Sequence, residues 1–313
     1  MIFIMKTIKY LIILFPLILH AQFGQNQNNN SWPPEIDSDT TFTYKIIDET
    51  KLNLWVFNPP EIFKSDKKSA IIFFFGGGFR IGTPEQFIEH SKYLSARGMV
   101  SILADYRVYS RNNTRPIQSL NDAKSAVRWV RKHSKSLGID PNRILASGGS
   151  AGGALAALTG TATMFDEQNE DLKISSKPNA MVLFNPGVIV SPVEEYPLSV
   201  MSERRKKSAT KFNLGVEPEL FSAYNFISNK TPPTIIFHGK NDTTVDPTTV
   251  VLFNQKMKKF GNNSELYLYE GKTHGFFNYG RELNGPFVDT MRKVDDFLVN
   301  LGYIQSLPKS VGM

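Results

Sequence analysis

The sequence predicts an α/β fold: one mostly parallel sheet covered by helices on both faces, with a small insertion over its carboxyl edge. Three observations carry this expectation. Continuous apolar runs such as Ala70–Phe75 suit strands buried on both faces. Segments with apolar residues at helical spacing alternate with those runs along most of the chain. The length of 313 residues fits one large domain of this kind, and no period of a solenoid or propeller repeats along it.

The chain begins with Lys6 and Lys9, then a run from Tyr10 to Leu19 that is apolar except for Pro16, then His20 and Ala21. A basic start, a short apolar core and a small residue at its end predict a secretory signal peptide over residues 1–21, cut after Ala21. The run is shorter than the roughly 20 apolar residues a membrane span takes, so no stable membrane insertion is expected after cleavage. The mature chain is then secreted or periplasmic. Residues 22–39 read as a polar, flexible lead-in, and the folded domain as residues 40–313.

Within that domain Thr41–Ile47 and Lys51–Phe57 read as strands joined by a hairpin-like turn, and Ala70–Phe75 and Val100–Ala104 as central strands. Glu85–Arg97 has helical character and stops at Gly98. Leu120–His133 repeats Ala123, Ala126, Val127 and Val130 at helical spacing; Arg143–Ala146 is a short strand, and a helix starts over Ala154–Leu158. Ala180–Phe184, Thr234–Phe237 and Glu265–Tyr269 complete the strands, and Phe287–Leu301 is an amphipathic final helix. Residues 187–221 break the pattern with Pro192, Pro197 and the basic run Arg204–Lys207, and are read as a small cap.

Composition excludes several classes of function. There is no cysteine, hence no disulfide framework, thiolate metal site or cysteine nucleophile. The 36 basic and 29 acidic residues give +7, and loss of Lys6 and Lys9 with the signal peptide leaves +5. That charge is dispersed apart from Arg204–Lys207, which argues against a nucleic-acid partner.

The chemistry centres on Gly148-Gly149-Ser150-Ala151-Gly152-Gly153, set between a strand and a helix. Glycines two residues either side of a serine permit a tight, strained turn that lifts the hydroxyl above the sheet, beside a helix N-terminus that favours negative charge. Such a hydroxyl needs a base. Of five histidines, His20 leaves with the signal peptide; His90 and His133 lie in upstream helices, where surface or capping roles suit them; His238 ends a buried strand and suits a structural hydrogen bond. His274, in a loop past a strand and before the last helix, is the expected base. The carboxylate that orients it is sought in the loop after Thr234–Phe237. Asp242 stands nearer the sheet edge and is favoured over Asp246, which precedes Pro247 and is placed to cap the next helix. Phe75-Gly76-Gly77-Gly78-Phe79 follows a central strand; backbone N–H groups of these consecutive glycines can approach a carbonyl oxygen unobstructed and, with that of Ala151, are expected to form an oxyanion hole.

Together these residues resemble the α/β-hydrolase esterases of the hormone-sensitive-lipase and acetylesterase type, from about Ala70 to the final helix. The resemblance includes Asp105-Tyr106-Arg107 and the segment from Asp122–Trp129 through Gly138-Ile139-Asp140-Pro141 to Ser150. It implies an α/β-hydrolase fold, the order Ser150, Asp242, His274, and Gly77, Gly78 and Ala151 as the oxyanion donors. The segment from His238 to Val245 is similar to the H-G-x-x-D-x-x-V of carbohydrate acetylesterases and feruloyl esterases, a further reason to prefer Asp242. Phe75 stands where the oxyanion motif of such enzymes usually has histidine, so a side chain that helps hold that loop is missing while its backbone donors survive.

The expectation is a serine carboxylesterase for short acyl groups, acetyl foremost, on a small-molecule or glycan alcohol, with no metal or organic cofactor. Tyr196, Phe212, Phe221 and Tyr224 are available either to stack on sugar rings or to pack as core. A peptidase or amidase of the prolyl-oligopeptidase type and a non-catalytic binding protein on the same fold are the alternatives. The oligomeric state is left open.

Overall fold

In the strand β3 (Lys68–Phe74) successive side chains enter opposite cores: Ala70, Ile72 and Phe74 one, Ile71 and Phe73 the other. An unbroken apolar run is what a strand needs when helices cover both of its faces. The computed structural model describes residues 32–307; the expected signal peptide (1–21) and the lead-in up to residue 31 lie outside the described residues. In the rest of the lead-in, Ile36 is buried with Trp55 and Phe57. There too, Asp39 N–H donates to the Val56 carbonyl at 3.0 Å, and the Asp39 carboxylate accepts from Asn58 N–H at 2.7 Å.

The other strands are β1 (Thr40–Ile47), β2 (Thr50–Phe57), β4 (Val100–Ala104), β5 (Ile139–Gly149), β6 (Ala180–Phe184), β7 (Thr234–Gly239) and β8 (Ser264–Tyr269). They form one eight-stranded sheet in the order β1-β2-β4-β3-β5-β6-β7-β8. Strand β2 runs antiparallel to β1 and β4; every other pairing is parallel. The helices are α1 (Ile88–Ala96), α2 (Tyr109–Asn112), α3 (Pro116–Lys132), α4 (Ala151–Thr161), α5 (Glu203–Ser208), α6 (Lys211–Leu214), α7 (Pro247–Lys259) and α8 (Gly285–Asn300). Apolar residues of α3, α4 and α7 fill one core, and those of α1 and α8 fill the other.

The strands occur where expected along the chain, with local differences in where elements begin, among them these. β5 begins at Ile139, not Arg143, because Ile139 pairs with Lys68 across an irregularity before the regular ladder resumes at Ala70 and Ile144. The helix expected from Glu85 opens as a 3-10 turn over Pro84–Phe87, and α-helical bonding starts only at Ile88. Helix α4 starts at Ala151 and runs through Gly152 and Gly153, where tertiary packing overrides the poor helix propensity of glycine.

Residues 187–221 add no strand to the sheet among the described residues; they hold α5, α6, short 3-10 turns and an isolated bridge between Val193 and Tyr196. The Ser222 hydroxyl fixes their start, accepting from the N–H groups of Val190 and Ser191 at 2.8 and 2.9 Å. Tyr196, Phe221 and Tyr224 are buried, so of the four aromatics only Phe212, 76% exposed, is open to a ligand. Phe221 meets Phe79 of the glycine loop edge-on, with ring centroids 5.5 Å apart, which seats the insertion against the sheet's carboxyl edge.

Candidate active site

Ser150 sits between β5 and α4 with φ 54° and ψ −113°, a strained conformation for a residue with a side chain. Its N–H donates to the Phe184 carbonyl at 2.9 Å and its carbonyl accepts from Ala154 N–H at 3.0 Å, so strand β6 and the first turn of α4 hold the strain in place. The turn closes only because position 152 lacks a side chain. A Cβ on Gly152 would lie 1.9 Å from the Phe74 carbonyl oxygen.

The histidine expected as base lies within reach of that serine. Ser150 Oγ and His274 Nε2 are 2.9 Å apart, and His274 Nδ1 lies 2.7 Å from Asp242 Oδ2. Three residues from three separate loops thus form one chain of hydrogen bonds at the carboxyl edge. The donor directions are fixed by the chemistry: Nδ1–H faces the carboxylate, leaving Nε2 as acceptor for the serine hydroxyl. Exposure rises from acid to base: the Asp242 side chain is fully buried and that of His274 is 25% exposed.

Asp242 is held from every side. Its Oδ1 accepts from the N–H groups of Thr244 and Val245 at 2.8 and 3.0 Å. Its Oδ2 accepts from His274 and from Asn185 Nδ2, the latter at 2.8 Å. His238 Nε2 donates to the Val245 carbonyl at 2.9 Å and lies 3.2 Å from the same Oδ2. Burial alone would raise this carboxyl, but the hydrogen bonds from His238, His274 and Val245 outweigh it and hold the group well below the usual carboxylate range. The structural hydrogen bond expected of His238 is present. Asp246 takes the other role foreseen for it: its carboxylate caps α7 through Thr248 N–H at 2.8 Å and accepts from the Tyr196 hydroxyl at 2.9 Å.

The glycine loop follows β3. Among the described residues the amides of Gly77 and Gly78 donate to no protein acceptor, and Ala151 N–H is in the unbonded first turn of α4. Gly77 has φ +116°, and a Cβ there would lie 2.1 Å from the Ile81 carbonyl oxygen. Phe75 leaves this loop well held by other groups. Its ring stacks on Tyr106 at 4.1 Å, the Tyr106 hydroxyl donates to the Phe75 carbonyl at 2.6 Å, and Arg111 donates to the Gly82 carbonyl at 2.8 Å. Burial drives the Tyr106 phenol far above its ordinary pKa, so it keeps the proton it donates.

His133 caps α3 as expected, its Nδ1 bonded to the Trp129 carbonyl at 2.8 Å. His90 does not lie at the surface. It is fully buried among Phe73, Phe87, Phe184, Phe277 and Phe287, and among the described residues neither ring nitrogen has a partner at normal hydrogen-bond geometry. Burial lowers its pKa to about 3, offset only in part by the nearby Phe277 backbone. Asn185 was not foreseen, although an amide at the carboxyl end of a central strand, before Pro186, is a readable signal.

Residues 56–257 match the model of the family described as BD-FAE, and residues 215–304 match that of the dienelactone hydrolase family. The chain is 28% identical over 245 residues to Lipase 2 of Moraxella sp. (strain TA144), covering 69% of this chain and 56% of that protein. It is 27% identical over 280 residues to an acetylxylan esterase of Xylanibacter ruminicola, covering 85% of this chain and 51% of that protein. The chain therefore spans about half the length of these curated relatives. Among solved structures, the native thermophilic esterase Est2 of Thermogutta terrifontis matches with a TM-score of 0.83 and 44% identity, over 88% of this chain and 97% of that one. The same esterase has been solved with butyrate bound and phosphorylated by paraoxon, at TM-scores of 0.84 and 0.80.

Proposed function

The chain belongs to the BD-FAE family, with the α/β-hydrolase fold, and we propose that it is an exported serine carboxylesterase acting on short acyl esters, acetyl foremost. The observation that carries this reading is the unbroken chain of hydrogen bonds from Ser150 through His274 to Asp242, at 2.9 and 2.7 Å. Ser150 Oγ bonds to the ester carbonyl carbon as its proton passes to His274 Nε2. The N–H groups of Gly77, Gly78 and Ala151 receive the oxyanion. The bond to the alcohol oxygen then breaks, and that oxygen takes the proton from His274. Water repeats the sequence on the acyl-enzyme: His274 takes its proton, its oxygen bonds to the acyl carbon, and Ser150 Oγ leaves and recovers the proton. Asp242 stays ionised throughout, fixing the tautomer and stabilising the imidazolium.

Relatives support the acyl range and the class of alcohol. The Thermogutta esterase binds butyrate and propionate, both short acids. The Xylanibacter relative, matched over 85% of this chain, is named for an acetylated polysaccharide, which makes an acetylated glycan the proposed natural substrate here. Export rests on the basic and apolar pattern of residues 1–21, and the N-terminus of the exported chain is expected at Gln22.

The test is hydrolysis of p-nitrophenyl esters from acetate to decanoate by the mature chain and by Ser150→Ala. Acetate to butyrate cleavage that depends on Ser150 and falls steeply with longer chains is the expected result, followed by acetate release from acetylated xylan. A preference for decanoate would overturn the acyl range, and failure to cleave any ester would overturn the reading.

A further inference from the structure

Gln86 lies in the 3-10 turn before α1, and its carboxamide bonds in two directions. Oε1 accepts from Gly76 N–H at 2.6 Å, and Nε2 donates to Asn278 Oδ1 at 2.9 Å. Asn278 Nδ2 then donates to the Gly275 carbonyl at 2.9 Å, and Asn278 N–H meets the same oxygen at 3.2 Å. The polarity of every link is dictated by its ends. Gly76 presents a donor, so Gln86 turns its oxygen to it and its NH2 to Asn278; Asn278 turns its oxygen back and its NH2 to a carbonyl. A carboxamide at each position meets both of its neighbours with the required polarity at any pH.

The two ends of this bridge lie in the loop placed beside Ser150 and in the loop that carries His274. Gly76 opens the glycine loop, and a Cβ on it would lie 3.4 Å from the Ser150 Cβ and 3.1 Å from the Gly149 carbonyl oxygen. Gly275 follows His274. The loops leave β3 and β8, which are separated in the sheet by β5, β6 and β7, so no ladder hydrogen bond ties one to the other. The bridge spans that gap.

Resting on the proposed serine-esterase reading, we propose that Gln86 and Asn278 are positioning residues: they lock the glycine loop to the histidine loop, setting the distance between the oxyanion donors and His274 Nε2 across Ser150. They add to the hold that Tyr106 and Arg111 have on the glycine loop. A displacement of about 1 Å between such groups costs roughly 100-fold in rate. Loss of the bridge is therefore expected to lower kcat and leave KM nearly unchanged, because the ground-state ester does not use the oxyanion geometry.

The experiment measures kcat and KM on p-nitrophenyl acetate for the wild type, Gln86→Met, Asn278→Leu, the double variant and Gln86→Glu. Each single apolar variant is expected to lose roughly 10- to 100-fold in kcat with KM within about threefold, and the double variant to lose no more than the worse single one. Gln86→Glu carries a signature that a purely structural role would not produce. Its carboxylate opposes the Asn278 oxygen, whereas its protonated form donates to it, so the ratio of its kcat to that of the wild type is expected to rise from about pH 8 to about pH 5. Singles within twofold of the wild type, losses that multiply in the double variant, or a flat Gln86→Glu ratio would each overturn the bridge. The parent reading fails separately, if the wild type shows no Ser150-dependent turnover.

Discussion

Asp242 and Ser150 occupy opposite ends of one hydrogen-bonded chain, and they are held by different means. The Asp242 carboxylate, fully buried, accepts from two backbone N–H groups and from His274 and Asn185, with His238 at 3.2 Å. Among the described residues the Ser150 hydroxyl makes one hydrogen bond, to His274, and its position rests on a backbone with φ 54°. The contrast fits the role proposed for each group. A carboxylate that must stay charged in a buried site needs every lone pair occupied. A nucleophile must keep its oxygen open to substrate, so its placement comes from strain locked by neighbouring strands and glycines.

The comparison can be broken most severely at the acid. Asp242→Asn offers one oxygen where two are needed; with that oxygen turned to the Thr244 and Val245 amides, its NH2 faces His274 Nδ1 and forces the wrong tautomer. A fall in kcat of roughly 10,000-fold is expected, measured on p-nitrophenyl acetate with folding checked by circular dichroism. At the other end, Gly77→Ala puts a methyl group 2.1 Å from the Ile81 carbonyl oxygen and must displace the glycine loop proposed to hold the oxyanion, with a loss of roughly 100-fold. Gly78→Ala, at φ +64° with no atom within 4 Å of the added Cβ, is the control: it costs about 1 kcal/mol of left-handed strain and leaves most activity.

Redundancy at the acid is tested by Asn185→Ala, which removes one donor and leaves the others. A loss of about tenfold or less is expected, and a loss near that of Asp242→Asn would show the bonds to be interdependent. Asp246→Asn is expected to alter kcat by less than about threefold and to weaken the cap of α7 by about 1 kcal/mol at most.

His90 separates stability from activity. Folded, its imidazole takes a proton only near pH 3, against 6.5 for the free side chain, so between those values the unfolded chain binds the extra proton. Its contribution is complete above about pH 6.5 and declines as pH falls toward about 3, by at most about 1.4 kcal/mol per pH unit. Urea midpoints measured across that range are expected to slope less in His90→Leu than in the wild type, with ester turnover at neutral pH little changed.

Much of this was legible in the chain because the signals were local. The strand, glycine turn and helix around Ser150, the loop position of His274 and the spacing of Asp242 from His238 are all short-range patterns. The choice of Asp242 over Asp246 drew on its place nearer the sheet edge, on the resemblance of His238–Val245, and on Pro247, whose fixed φ starts a helix for Asp246 to cap. What escaped depends on meetings between distant segments. Gln86 and Asn278 are 192 positions apart, and neither is unusual in its own neighbourhood. His90 lies between Glu89 and Ser91 on a helix with little apolar patterning, and only the packed fold shows it enclosed by phenylalanines. The early start of β5 likewise depends on a partner, Lys68, far along the chain.

The most direct measurement is covalent labelling of the wild-type chain with paraoxon, the reagent that phosphorylates the Thermogutta esterase. Intact mass followed by peptide mapping reads the site. One diethylphosphoryl group on Ser150, absent from Ser150→Ala and formed far more slowly in Asp242→Asn, is the predicted result. No adduct, or an adduct that persists in Ser150→Ala, would contradict the assignment of Ser150 as the activated nucleophile.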